Sequence, residues 1–377
     1  MSILKKIFFL SVFVFVLSLL FWGIYKLSFK DNSATVADKT STKPATPVAA
    51  ANKIEPVSGE AVIAPTLAAD GNSLNYFLEK SGQLLQVDFY GKVQQTLSAK
   101  NISNLSDAYW SIDKLKLVIK TKASDNGATF SFLDLASGET KPLKDNLDEV
   151  AWQTNANRIL YKYYSPETKE RTLNVADPDG SNWTKIADLN YKSLSVAQIP
   201  KTGLISFWNT GDAYVQTNFQ AIPLLGGTAK TILATGFGAD YLWNFSGDWA
   251  LISHSDSQGG AKMELGMVNV NGGEYKNLGI PTFIDKCVWA ENGQAIYYAL
   301  PGGIPDNSVL PNDYKAGKFK TADTFWKVNI KTGEKTRLIE TADIPGQYDA
   351  SQLFLNKSES LLFFVNKIDG KLYRLTL

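Results

Sequence analysis

A unit of about 43 residues recurs along most of this chain, and a period of that size leaves few architectures open. Four tryptophans share one context: Tyr109-Trp110-Ser111, Ala151-Trp152-Gln153, Leu242-Trp243-Asn244 and Val288-Trp289-Ala290. Each closes a short apolar strand and is followed, past a polar turn, by a β-forming run, at 115–120, 159–164, 249–253 and 295–300. Three further units keep the pattern without tryptophan, at Pro65-Thr66-Leu67, Val196-Ala197-Gln198 and Leu353-Phe354-Leu355. With Leu67, Trp110, Trp152, Ala197, Trp243, Trp289 and Phe354 taken as equivalent, the spacings are 43, 42, 45, 46, 46 and 65. A third strand, a tight turn and a fourth strand follow each pair, as at Gln86-Val87-Asp88 to Gly91 and Lys327-Val328-Asn329 to Gly333. Glycine recurs there because two-residue hairpins need positive φ. Four short strands per unit, with no helical periodicity beyond residue 30, predict an all-β chain folded as a seven-bladed β-propeller.

The last unit supplies only three strands, ending in 371–377. The segment 53–58 is expected to provide the fourth, closing the ring and removing two open sheet edges. Upstream, Ile7 to Tyr25 is a run of 19 uncharged residues. As a helix it measures roughly 28 Å, close to the ~30 Å hydrocarbon core of a bilayer. Lys5, Lys6, Lys26 and Lys30 flank it, and Trp22 and Tyr25 suit an interface. No small-x-small cleavage site follows closely, so an uncleaved single-pass transmembrane anchor is expected rather than a signal peptide. Residues 31–52, rich in Ala, Thr, Ser and Pro, read as a flexible linker. The expected division is a cytoplasmic stub and anchor over 1–30, a linker over 31–52 and the propeller over 53–377. The body is placed on the extracytoplasmic side of the cytoplasmic membrane.

Composition narrows the chemistry. Thirty-eight Lys and Arg against 37 Asp and Glu leave a net charge of +1, without the basic excess of a nucleic-acid binder. The single histidine, His254, and single cysteine, Cys287, preclude zinc sites of three or four His/Cys ligands and a disulfide framework. No phosphate-cradling glycine loop occurs, so no cofactor is expected. No catalytic residue and no metal ligand is assigned. His254 lies in Ser253-His254-Ser255-Asp256, but adjacency in sequence does not bring a triad together in space. Asp177-Pro178-Asp179-Gly180 reads as a hairpin turn and not a calcium loop, and Cys287 beside Val288-Trp289 as an inert core residue.

The units resemble the WD-like repeats of TolB-type propellers. An apolar-Trp-Ser strand, a polar Asp turn and a following β run are carried by Trp110-Ser111-Ile112-Asp113-Lys114, and Leu67-Ala68-Ala69-Asp70-Gly71 is similar. The resemblance spans roughly residues 53 to 377. Ile199-Pro200-Lys201 and Asn356-Lys357-Ser358 depart from it by lacking the Asp-Gly turn. It implies the fold and, for function, an interaction platform more often than an enzyme domain.

In such a fold the residues just before each unit's first strand lie near the mouth of the central channel. That position is repeatedly acidic: Asp107, Asp148, Glu149, Asp240, Asp285 and Asp349, with Lys192 and Lys286 interrupting. Converging carboxylates attract a cation or a basic peptide. The insertion 301–323, with Tyr314, Lys315, Lys318 and Lys320, is expected to overhang the same face as a partner-contact loop. The favoured function is a membrane-anchored, non-enzymatic platform for a protein or peptide in the cell envelope. The alternative is a hydrolase or lyase acting on glycans or peptides through mouth carboxylates, which can do acid–base work without histidine. A sensor whose anchor signals inward is the third reading, and the stub 1–6 leaves little to carry a signal.

Overall fold

The computed structural model describes residues 53–98, 100–123 and 127–377. The expected anchor at 7–25 and linker at 31–52 lie outside them; no helix among the described residues is long and apolar enough to cross a membrane.

The described chain is all-β, built from antiparallel strands of three to fourteen residues. Five sheets have four strands, over residues 62–96, 105–142, 147–188, 287–337 and 350–376, the last including Ile54–Pro56. One sheet, over 194–280, has seven. In several units the second strand is the most apolar and the most buried. Leu361–Asn366 is buried at every position and Ala295–Leu300 at five of six. Such strands have neighbours on both faces, so they read as continuous apolar runs rather than alternating ones. The fourth strands are polar and exposed, as in Val93–Thr96 and Thr140–Pro142, which blunts the outer edges against pairing with other chains.

The core is divided among the gaps between successive sheets. Val118 and Phe130 meet Ile159 and Tyr161; Leu160 and Leu173 meet Ile205 and Phe207; Leu251 and Met267 meet Ile296 and Tyr298. The sheet over 350–376 packs Phe363 and Val365 against Leu74 and Tyr76, joining the last described sheet to the first. There Ile54–Pro56 lies beside Leu372–Thr376, with Ile54 opposite Leu375 and Pro56 opposite Tyr373.

The repeated tryptophans fasten these gaps. The indole N–H of Trp110 donates to the Ala64 carbonyl at 2.8 Å, Trp152 to Tyr109 at 2.7 Å, and Trp289 to Leu242 at 3.1 Å. Trp243 donates to Ser206 Oγ at 2.8 Å. Each bond runs from one unit's first strand into the preceding unit, so the indole fills the gap and also satisfies its polar edge there.

The seven-stranded sheet arises from one long strand, Lys230–Trp243. Its first half pairs with Gln216–Pro223 and its second half with Trp249–Ser255. The bend between them uses Gly236 and Gly238, at φ 80° and 63°. A Cβ on Gly238 would fall 2.4 Å from Pro311 Cδ, so this position must be glycine for the backbone and for the insertion lying on it.

Replacing Trp152 with phenylalanine keeps most of the apolar contact but removes the indole bond to the Tyr109 carbonyl. The expected cost is about 1–3 kcal/mol, read as a lowered midpoint in denaturant unfolding. An unchanged midpoint would show that the indole bond contributes nothing.

Candidate functional site

Asp107, Glu149 and Asp240 each stand three residues before a repeated tryptophan. Each sits inside a first strand at an irregularity in pairing: between Leu105 and Asp107, Leu147 and Glu149, and Phe237 and Asp240. An extra residue at this point turns the strand and re-aims the side chains beside it. Lys286, three before Trp289, holds the same offset in the next unit. This shared offset was the one signal in the sequence that could have marked Lys286 as part of the site rather than an interruption of it.

The three acids are half-buried, and burial pushes each carboxyl above its ordinary value. For Asp107 the Ala108 N–H and the Lys120 ammonium oppose that rise. For Glu149 burial outweighs Lys120 and is reinforced by Asp148, carrying it up to about 7. For Asp240 burial outweighs Lys315, the Tyr241 N–H and the Trp208 indole. Asp240 in turn raises Glu149, so the two carboxyls sense each other's charge. Asp148 points differently: it is half-exposed and pairs at 2.7 Å with the buried Lys162.

On the other side lies a buried network that composition could not announce. The Lys286 ammonium is 2.6 Å from Asp323 Oδ2 and 2.8 Å from Asp349 Oδ1, all three side chains being inaccessible. The same nitrogen reaches Thr321 Oγ1 at 3.1 Å and the Ala350 carbonyl at 2.8 Å. The Tyr314 hydroxyl donates to Asp349 Oδ1 at 2.6 Å. Burial works to raise the Asp349 carboxyl, but Lys286 and the hydroxyls of Tyr314 and Thr321 outweigh it and hold it below the usual range. For Asp323 burial wins and the carboxyl is raised. Asp349 is therefore a structural counter-ion, fully enclosed, and not a solvated group at an open mouth. Asp285, in the turn Ile284–Lys286, pairs at 2.7 Å with Lys367, whose ammonium also lies 3.0 Å from the Tyr314 hydroxyl.

The insertion 301–323 differs from a loose overhanging loop. It carries a helical turn, Asn312–Lys315, and a small core in which Leu310 and Tyr314 pack on Met263 and Phe283. The Tyr314 ring stacks on Phe283 at 4.3 Å. Hydrogen bonds tie the insertion to its neighbours: Ala213 N–H to Asn312 Oδ1 at 2.8 Å, Asn312 Nδ2 to Asp212 Oδ1 at 3.0 Å, and Leu310 N–H to the Gly260 carbonyl at 2.9 Å. Tyr314 thus faces inward, whereas Lys315, Lys318 and Lys320 are exposed. Lys318 pairs with Asp313 at 2.6 Å. Between the insertion and the sheet ends is a cleft of about 110 Å³, lined by Asp240, Met263, Phe283, Asp285, Lys315 and Lys367 among others.

The remaining singled-out residues are structural. His254 Nδ1 lies 2.8 Å from the Ser255 carbonyl and Nε2 3.0 Å from the Tyr275 hydroxyl, inside the strand Trp249–Ser255. Cys287 is buried, and burial pushes its thiol far up. Asp177–Asn182 is a turn closed by Gly180 N–H to the Asp177 carbonyl. Among the described residues no three His, Cys, Asp or Glu side chains are grouped to hold a metal ion.

No protein-family model matches the chain, and no curated protein matches it by sequence. Likeness to solved structures is extensive. An oligogalacturonate lyase in complex with manganese superposes with a TM-score of 0.62 at 13% identity, over 86% of this chain and 93% of its own. The β-propeller domain of Cps50 (Swd1) from Myceliophteria thermophila gives 0.55 at 10% identity, over 86% and 99%. The fold is that of the β-propellers. TolB from Acinetobacter baumannii itself gives 0.46 at 12% identity, over 84% of this chain and 64% of its own. Identities this low speak for the fold of the propeller alone.

Two outcomes test the site. Lys286→Met leaves two buried carboxylates without their cation and should cost about 3–5 kcal/mol in denaturant unfolding, with Asp323→Asn added to it restoring some of the loss. Glu149 holds its proton more tightly folded than in an open chain, about 7 against 4.5. Its stabilising contribution is therefore complete below pH 4.5 and is lost as pH rises to about 7. Glu149→Gln should flatten the fall of Tm across that window, and an unaltered slope would refute the assignment.

Proposed function

We propose that this chain is a seven-bladed propeller acting as a non-enzymatic platform for a protein or peptide partner in the cell envelope, held at the cytoplasmic membrane by residues 7–25 through the linker 31–52. The count of seven is supported by the seven repeat units and by the long strand Lys230–Trp243, which serves as the outer strand of one blade and the inner strand of the next. The pairing of Ile54–Pro56 with Leu372–Thr376 supports closure of the last blade by the segment 53–58.

One observation carries the platform reading. The insertion is a docked, hydrogen-bonded roof beside a cleft of about 110 Å³. Sites for small molecules usually enclose about 300–1,000 Å³, so this cleft suits a single side chain of a larger partner. Around it the roof presents exposed Lys315, Lys318 and Lys320, and nearby Tyr214 and Val215 are 56% and 49% exposed. A rigid rim with an aromatic, a basic edge and one small recess has the anatomy of an interface. In membranes crosslinked and solubilised, the full chain should capture a specific partner. The same chain with Lys318 and Lys320 changed to Glu should lose it. Capture that is indifferent to these changes would overturn the reading. The full chain should also sediment with membranes, and a chain beginning at residue 53 should not.

A second reading is kept alive by Glu149. A carboxyl poised at about 7 beside Lys120 and sensing Asp240 is suited to acid–base work on a glycan or peptide, and the similar lyase shares the architecture. Turnover of oligogalacturonate that vanishes in Glu149→Gln would establish it. Absence of turnover by the intact chain would remove it.

A further inference from the structure

The carboxylates at the mouth are mostly neutralised by a lysine: Asp285 by Lys367, Asp148 by Lys162, and Asp323 and Asp349 by Lys286. Among the described residues Asp107, Glu149 and Asp240 have no such ion pair, and of these three Asp240 alone lines the cleft. Asp240 Oδ1 accepts from the Trp208 indole at 3.1 Å and from the Tyr241 N–H at 3.0 Å. Among the described residues it has no ion-pair partner, and its second oxygen has no hydrogen bond from the protein. The cleft's apolar walls include Met263, Phe283, Ile284 and Pro311, with the Asp285–Lys367 pair and Lys315 as its other charged groups. A desolvated carboxylate walled by methylene and aromatic groups gains most from a cation that brings its own apolar stem.

The geometry also selects among cations. A guanidinium prefers both oxygens of a carboxylate in a planar fork, but here one oxygen already serves the indole and the backbone. An ammonium is a point charge that needs only one, and the stem of lysine is a flexible four-carbon chain. A cleft of about 110 Å³ holds the volume of some three or four liquid waters at ~30 Å³ each, which is room for one such stem. Lys315, exposed on the roof above, is near enough for its charge to act on Asp240 yet does not pair with it.

We propose that the Asp240 cleft receives a single lysine side chain of the bound protein or peptide, its ammonium on the free Asp240 oxygen and its stem between Met263 and Phe283, with Lys315 opposing entry. The proposal rests on the platform reading and narrows it to one kind of anchor residue.

The probe is Nα-acetyl-lysine amide, titrated into the full chain in detergent with tryptophan fluorescence as the readout, since Trp208 touches the carboxylate that would be engaged. Saturable binding is expected. The arginine analogue should bind at least tenfold more weakly, and the Nε-acetylated lysine analogue should not bind. Asp240→Asn, which keeps the acceptor for Trp208, should lose at least tenfold. Lys315→Gln removes one exposed charge from the cleft wall, giving up its long contact with the Gly211 carbonyl, and should tighten binding about threefold, the size expected of one exposed charge. Equal binding of the neutral analogue, no binding of the lysine probe, or no response to Lys315→Gln would each overturn the proposal. Capture of the partner separates the two claims. Capture retained by a chain that ignores the probe sinks only the lysine anchor. Probe binding with no captured partner sinks the platform.

Discussion

None of these sheets can bury itself. Each is apolar on both faces, so it is stable only when a neighbour covers each side, and the first must cover the last. That mutual dependence is what the repeated tryptophan serves. A large ring fills the wedge between two twisted sheets, and its N–H reaches a carbonyl or hydroxyl of the preceding one. An isoleucine or leucine would fill the wedge without fixing the angle at which the sheets meet. Directional bonding at a repeated place converts non-directional apolar attraction into a particular curvature.

The same repeat explains how the candidate site is assembled. A fixed offset of three from the tryptophan, with an irregular pairing just there, delivers a polar side chain from several units to one region. What stands at that offset varies: Asp107, Glu149, Asp240, Lys286. The offset accepts either sign of charge, provided that the groups packed around it match. Lys286 shows the extreme case, where the position has been turned inward and sealed by Asp323, Asp349 and Tyr314 into a structural knot.

The strands were legible because their signal is local. The runs 159–164 and 295–300 are mostly apolar and aromatic and are bounded by turn formers, and the structure places strands on those same residues. Lys230–Trp243 was not legible as one strand, since Gly236 and Gly238 look like a break and act instead as a bend. The insertion hid its small core among prolines, glycines and lysines; Leu310 and Tyr314 are too sparse to show any periodicity. Of the mouth acids, the positions could be read from the repeat but their states could not. Whether a carboxylate is free, like Asp240, or sealed, like Asp349, depends on a lysine 63 residues away in the chain or on none at all.

The strand Ile54–Pro56 adds a mechanical property. It is three residues long, joined to Leu372–Thr376 by the pairing of Ile54 with Leu375, by Val57 and Ser58 N–H groups on the Leu372 carbonyl, and by the ion pair of Glu55 with Arg374. Tension applied through the residues before Lys53 meets this joint before any other. Pulled along the strand, its bonds share the load and yield together; pulled across it, they break in succession at far smaller force. The direction in which the chain is held therefore sets how firmly the ring stays shut.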